Sequence, residues 1–419
     1  MKKPYDINEV RAYFPALLKP VVFLDNPGGT QIAQQSINRI VEYLLEHNAN
    51  HGGAFATSAA SDLSVDAARS AMADFLNASR PEEIVFGANM TTLTMSFSRA
   101  LVRTLNPGDT IVVTHLDHDA NISPWLLAAE DRGCRVRWVD VNTVDCTLDL
   151  QDFKKAMEEK PKLVAFGYAS NSSGTINPVE ELISLAHAAG ALVYIDAVQF
   201  APHGQIDVQR LGCDFLVCSS YKFFGPHLGA LYGRYDLLEK LRAYKVRPAP
   251  QNPPGKFETG TGNFEHMSGL LGALDYFEWI GETFAPPQAA SFSNYTGRAR
   301  TYKQAMAVVH EYETGLSRNL LKEIKTVQGA VIYGIQDEDR LNERVATYSF
   351  TLPTLSPREA AKRMGDKGIN LWDGNYYALA ISEKLGLEKT GGMIRVGATH
   401  YNTLEEVSRF GEELRKLEK

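Results

Sequence analysis

Two stretches in the middle of the chain carry residues able to act together. YIDAVQF (194–200) reads as a strand that ends in an acid, Asp196. VCSSYKFFGPHLGALYG (217–233) reads as a strand ending in small hydroxyl residues, followed by Lys222 and a Gly/Pro turn. In a parallel sheet, ligands bind at the carboxyl ends of the strands, so Asp196 and Lys222 can face one crevice from different strands. A lysine amine forms an imine with an aldehyde. A carboxylate keeps a pyridine nitrogen protonated, so that the ring accepts electrons from a carbanion. The pair therefore suits pyridoxal chemistry. Taken singly, the acid also fits a plain strand-end cap and the lysine a surface residue.

Two further stretches add candidates. In FGANMTTLT (86–94) a strand runs into a turn holding Asn89, Met90 and Thr91 at the start of a helical pattern. Helix N-terminal N–H groups and a threonine hydroxyl make a seat for a phosphate, although an ordinary N-cap has the same composition. Ser219, just before Lys222, offers a second hydroxyl. THLDHDANISPW (114–125) supplies His115, Asp117, His118 and Asp119, all metal-ligand types. The two histidines lie three residues apart with no helix signal and no third ligand motif nearby, so no metal is expected. In a pyridoxal site, one of these histidines would stack on the ring.

These residues need a scaffold that gathers strand ends. EEIVFG (82–87), TIVVTH (110–115), CRVRWVDV (134–141), KLVAFGY (162–168), ALVYIDA (191–197) and CDFLVCSS (213–220) read as strands, several apolar on both faces as buried parallel strands are. Helical patterns at 91–105 and 179–190 lie between them, the second ending on a glycine suited to a C-cap. This alternation implies an α/β fold with a mostly parallel, helix-covered sheet. After a Pro/Gly-rich loop around 248–263, the pattern predicts one long helical region over roughly 266–325. A smaller α+β unit follows, with strands at VIYGI, RVATYSFTL, 369–372 and GMIRVG and helices over 356–366 and 403–417. The expected organisation is an N-terminal segment (1–17) packing on the small domain, a large domain (18–283) and a small C-terminal domain (284–419).

The 419 residues are 44% hydrophobic and 22% charged, an ordinary globular balance. A net charge of −7 argues against a nucleic-acid protein. The opening MKKPYDINEV is no secretory signal, and no apolar run approaches the roughly 18 residues of a membrane span. The four cysteines form no CxxC pair and no disulfide framework. A soluble, cytoplasmic setting is the expectation.

The set LDNPGGT (24–30), NANHGG (48–53), DHDANISPW (117–125), SNSSGTINPV (170–179), YIDAVQ (194–199), SSYKFFGP (219–226), ETGTGN (258–263) and RVGATHYNT (395–403) resembles the class V aminotransferase family. Within it, the chain is most similar to cysteine desulfurases and selenocysteine lyases. The resemblance covers nearly the whole chain and keeps the family's motif order. It implies an aspartate-aminotransferase-like fold with pyridoxal 5′-phosphate bound to Lys222. Asp196 would pair with the pyridine nitrogen, Gln199 with the ring hydroxyl, and His118 would stack on the ring. Thr91 and Ser219 would hold the phosphate, with Asn89 and Met90 among the cofactor contacts. Gly260 and Thr261 would reach the phosphate of a second subunit, which implies a homodimer with shared sites. Asn171 and Arg395 would grip a substrate carboxylate, for which an arginine fork is suited.

The chain departs from this pattern where a desulfurase carries its mobile sulfur-accepting cysteine. The matching stretch is KGINLWDGNYYALAI (367–381), with Tyr377 in place of the cysteine and Trp372 in place of an arginine. A phenol cannot carry a persulfide. Tyr221 stands where relatives often have histidine, and its phenol could still reach the phosphate. Trp372, Asn375, Tyr376 and Tyr377 form either a wall over the pocket or packing within the small domain. The expected activity is C–S bond cleavage in an amino acid by β-elimination, with an epimerase or aminotransferase as alternatives of the same class. A metal-dependent hydrolase built on 115–119 and a non-catalytic cofactor-binding protein are the readings from other classes.

Overall fold

The computed structural model describes residues 2–417. Seven strands form the large sheet: β1 (Ile84–Gly87), β2 (Thr110–Thr114), β3 (Arg135–Val139), β4 (Leu163–Gly167), β5 (Leu192–Asp196), β6 (Phe215–Ser219) and β7 (Gly229–Gly233). Their order is β1-β7-β6-β5-β4-β2-β3. β7 runs antiparallel to both β1 and β6, and the pairs from β6 through β3 are all parallel.

Alternate residues of each strand point to opposite faces, and here both faces are covered. Val193 and Ile195 of β5 join the core under the helices Ala56–Leu76, Val179–Ala188 and Phe264–Thr283. Tyr194 joins the opposite core, under Met90–Val102 and Ser123–Arg132. This double burial is why these runs are apolar almost without interruption.

The strand order reverses between β2 and β4: the chain moves outward to β3, then returns to the other side of β2. Such a switch point opens a crevice at the strand carboxyl ends. The segments leaving β1, β2, β4, β5 and β6 all emerge at that end.

A second sheet, of four strands, uses β8 (Val331–Tyr333), β9 (Thr347–Thr351), β10 (Trp372–Gly374) and β11 (Met393–Gly397), in the order β8-β9-β11-β10 and antiparallel throughout. Its core gathers Tyr348, Phe350, Ile394 and Val396 against Val407 and Phe410 of the last helix, Leu404–Leu417. Val22 and Leu24 join the same core, and Val22–Phe23 pairs in parallel with Ile369–Asn370. The N-terminal segment touches both lobes. Val10 and Phe14 sit in the large core, while Arg11 bonds the Tyr401 carbonyl at 2.7 Å and Glu406 at 2.9 Å.

Two expectations are corrected. The single helical region over 266–325 is two helices, Phe264–Thr283 and Gly297–Lys325. Pro286 and Pro287 lie between them, and proline removes an amide donor and clashes with the preceding turn. The strand β7 lies in a stretch read only as the Gly/Pro turn after Lys222, because the glycines at its two ends read as turn. The helix Gly297–Lys325 serves both lobes, with Tyr302 and Ala305 in the large core and Leu316, Leu320 and Ile324 in the small one.

Candidate active site

The crevice holds a buried cavity whose walls come from five strand ends. Asn89, Met90 and Thr91 follow β1, and Leu116, Asp117 and His118 follow β2. Ser170, Asn171 and Asn177 follow β4, Asp196 and Gln199 end β5, and Ser219, Tyr221 and Lys222 end β6. Lys222 and Asp196, brought from adjacent parallel strands, line the same space.

Burial acts on the two in opposite directions, since it penalises either charged form. The Lys222 amine is pulled down to about 7 by burial and by the nearby Arg395 charge, against the pull of Asp196. Its Nζ donates to the Pro27 carbonyl. The Asp196 carboxyl is pushed up to about 6 by burial, opposed by the Val198 N–H at 2.9 Å and by Lys222. At neutral pH a large share of Lys222 is therefore an uncharged amine, able to attack a carbonyl carbon or accept a proton.

His118 is pulled down to about 4 by burial and by the charges of Lys222 and Arg395. Its Nδ1 accepts the Ala120 N–H at 3.0 Å, which leaves the neutral ring's proton on Nε2. His115 turns away and stacks on Trp138 at 4.7 Å. Asp119 accepts from Ser123 Oγ at 2.5 Å. Among the described residues, no three His, Cys, Asp or Glu side chains converge on a point that could hold a metal.

Asn89 caps the helix Met90–Val102, accepting the Thr92 N–H at 2.8 Å. Ser219 Oγ accepts the Met90 N–H at 3.0 Å and keeps its own hydroxyl proton free to donate. Thr91 lies exposed at the first turn of that helix. The turn thus presents N–H and O–H donors beside Lys222, the requirement for an anion seat. Gln199 Nε2 donates to Thr347 Oγ1 at 3.1 Å, and its Oε1 is buried without a partner. Tyr221 lines the cavity and stacks on His227 at 4.9 Å.

The small lobe closes the outer side. Arg395 on β11 is buried, donates to the Asn171 carbonyl at 2.7 Å and lies 4.1 Å from the Tyr376 ring. Burial lowers it only to about 10, so it stays charged at neutral pH. Arg395 Nε and Asn171 Oδ1 are both buried and unpaired. Unpaired buried polar atoms are rare in folded proteins. Those of Gln199, Arg395 and Asn171 lie on residues lining this connected space, as expected where a polar ligand completes the bonding. Trp372 and Tyr377 stand at the mouth, with 44% and 75% of their surfaces exposed. Gly260 and Thr261 are exposed on a separate loop, and within one chain they do not line this cavity.

Two residues stand in the site in roles the sequence did not assign: Asp117 reads there only as a metal-ligand type, and Tyr376 only as pocket wall or packing. Asp117 is a buried acid in the cavity wall, bonded by Thr114 and by Asn121 at 2.9 Å and pushed up to about 7 by burial. Tyr376 covers Arg395. The DHDAN run held a signal for Asp117, but only as one acid among metal-ligand types.

Aminotransferase class-V is the family whose model matches, over residues 22–298 and 287–410, and the chain belongs to it. It is 31% identical over 433 residues to a cysteine desulfurase of Synechococcus elongatus, covering 99% of this chain but 64% of that one. An aminotransferase-like protein of Gibberella zeae is 33% identical over 418 residues, covering 97% of both chains. Among solved structures, the apo cysteine desulfurase of Thermococcus onnurineus superposes with a TM-score of 0.86 at 27% identity, covering 100% of this chain and 99% of that one. A cysteine desulfurase of Escherichia coli gives 0.82 at 25% identity, covering 99% of each. The fold is thus the α/β fold of these enzymes, with a second smaller lobe.

Proposed function

We propose that this chain binds pyridoxal 5′-phosphate on Lys222 and cleaves a C–S bond in an amino acid by β-elimination. The observation that carries the reading is a buried lysine, Lys222, sharing one cavity with a buried acid, Asp196, at the ends of adjacent parallel strands. When bound, the cofactor supplies an electron sink for negative charge at the substrate Cα. Asp196 holds a proton at the ring nitrogen. Gln199 Oε1, now without a partner, would accept from the ring hydroxyl. Ser219 and the Asn89–Thr91 turn would hold the phosphate, and His118 would lie against the ring. Arg395 and Asn171 bind the substrate carboxylate, and Lys222 takes the Cα proton.

Elimination, rather than sulfur transfer through the protein, is supported by where the thiols lie. Cys146, Cys213 and Cys218 are buried, and burial pushes the Cys146 thiol up to about 12. Cys134 is half-buried, with its Sγ 3.6 Å from the Asn106 carbonyl. None lines the cavity or its mouth. A homodimer belongs to the same proposal. It is supported by the exposed apolar residues Val41, Leu44, Leu45, Phe55 and Leu63 on neighbouring elements, and by the unengaged Gly260–Thr261 loop.

Reconstitution with pyridoxal phosphate should give an imine band at about 410–430 nm. Borohydride should then fix the cofactor to Lys222, and Lys222→Ala should lose both band and turnover. A reducible adduct on another lysine would overturn the assignment.

A further inference from the structure

Outside the Lys222 cavity lies a roomier chamber, about 670 Å³ against about 70 Å³ inside, which shares Thr91, His118, Asn171 and Lys222 with it. Its outer wall is Met95, Pro124, Trp372, Tyr376 and Tyr377. The three aromatic residues are held in place by bonds at the indole N–H and at the tyrosine backbone carbonyls. Trp372 Nε1 donates to the Asp25 carbonyl at 3.0 Å, over Gly28, where any Cβ would collide with the indole. The Tyr377 carbonyl accepts the Asp119 N–H at 2.7 Å, and the Tyr376 carbonyl accepts Asn171 Nδ2 at 3.0 Å. Both tyrosines have left-handed backbones, φ +57° and +59°. Bulky residues pay about 1–3 kcal/mol each for that conformation and keep it only where surrounding structure imposes it. The Tyr377 ring lies 5.7 Å from His118 at an 18° tilt, so the wall abuts the reacting centre.

The acids at the mouth are already engaged. Asp119 is bonded by Ser123, Asp373 is paired with Arg358 at 3.3 Å, and Glu388 holds Asn375 at 3.2 Å. The outer wall left to an occupant is mainly aromatic and apolar, from Met95, Pro124, Trp372 and Tyr377. Tyr376 lies against Arg395 itself, whereas Trp372 and Tyr377 stand at the exposed outer edge, where a side chain longer than that of cysteine would meet them.

We infer that the substrate is an α-amino acid whose side chain extends past the β-position into a large apolar or aromatic group, seated against Trp372 and Tyr377. This rests on the reading of Arg395 as the carboxylate anchor. Rigid aromatic walls hold such groups at low entropic cost.

The test uses the cofactor-loaded protein. Calorimetric affinities are compared for L-phenylalanine and L-alanine, and kcat/KM for S-benzyl-L-cysteine and L-cysteine. The larger member of each pair should be favoured at least about tenfold. In Trp372→Ala and Tyr377→Ala that preference should fall towards one. Equal binding of alanine and phenylalanine with the imine band intact would overturn the inference and leave the cofactor reading standing. So would a preference unchanged in both variants. If no imine band forms, the cofactor reading fails separately, and the same calorimetric ratio measured on the cofactor-free protein decides the inference.

Discussion

At the scale of single residues, the site is built from charges placed where they are least stable. Asp196 titrates at about 6 in the folded protein, against roughly 3.9 for a free aspartate. A carboxyl raised on folding costs stability once it ionises. That cost is absent below about pH 4 and complete above about pH 6, where it reaches about 3 kcal/mol. Asp196→Asn should therefore make the cofactor-free protein more resistant to denaturant at neutral pH, with the gain disappearing near pH 4. The loaded variant should lose about 10²–10³ in turnover. An unchanged denaturation midpoint at neutral pH would count against a buried, ionised Asp196. Lys222 sets a second pH dependence. Its amine is protonated below about 7 and has a free lone pair above it. Cofactor capture by the apo protein, followed by stopped-flow absorbance, should accelerate through that pH and then level off. The thiols make a third case. Replacing all four cysteines by alanine should spare turnover if the fold survives, and cysteine itself should yield pyruvate and ammonia. Alanine as the main product, with a protein-bound persulfide, would defeat the elimination proposal.

At the scale of elements, the proposed phosphate seat depends on how closely β7 approaches the helix Met90–Val102. A Cβ on Gly229 would sit 2.5 Å from the Asn89 carbonyl carbon and 2.8 Å from Leu93 Cδ1. Overpacking of this kind costs about 1–3 kcal/mol, and here it falls on the cap that opens the helix. Gly229→Ala should weaken pyridoxal phosphate binding about tenfold, read by equilibrium dialysis, while far-ultraviolet circular dichroism stays unchanged. Undiminished cofactor affinity would show that the turn does not contact the phosphate. The sequence pointed to Asn89 and Thr91 because an N-cap is a local pattern. Gly229 carried no such sign, since its neighbour lies 140 residues away in the chain.

At the scale of the whole molecule, a buried polar network joins the lobes. Glu313, on the helix shared by both cores, bonds His203 at 2.7 Å and the His400 N–H at 2.9 Å. His400 Nε2 in turn meets the Tyr276 hydroxyl at 2.7 Å. His203 follows β5, which ends in Asp196, and His400 follows β11, which carries Arg395. Burial alone would push the Glu313 carboxyl up, but His203 and His400 hold it below its usual value. A carboxyl depressed on folding contributes stability above its unfolded value, about 4.3. That contribution is lost as pH falls through the folded value. Glu313→Gln should cost about 1–3 kcal/mol at neutral pH and flatten the acid limb of the stability profile, measured by denaturant titration. A variant as stable as the parent at both ends would place the lobe contact elsewhere.

The sequence by itself determined the elements and the chemistry carried at their ends. Runs buried on both faces are apolar almost without interruption, so β2, β4, β5 and β6 could be found locally, and Asp196 and Lys222 with them. Motif order also identified the family before any contact was known. Only the tertiary structure decided what stands next to what. It placed the antiparallel β7 between β1 and β6, split the helical region at Pro286 and Pro287, and put Asp117 in the cavity wall. It also gave Tyr376 and Tyr377 left-handed backbones, with Tyr377 exposed at the mouth and Tyr376 half-buried over Arg395. The reason is physical. Periodicity reports which side of an element is buried, whereas a pKa, an unpaired atom or a strained φ depends on neighbours that other parts of the chain supply.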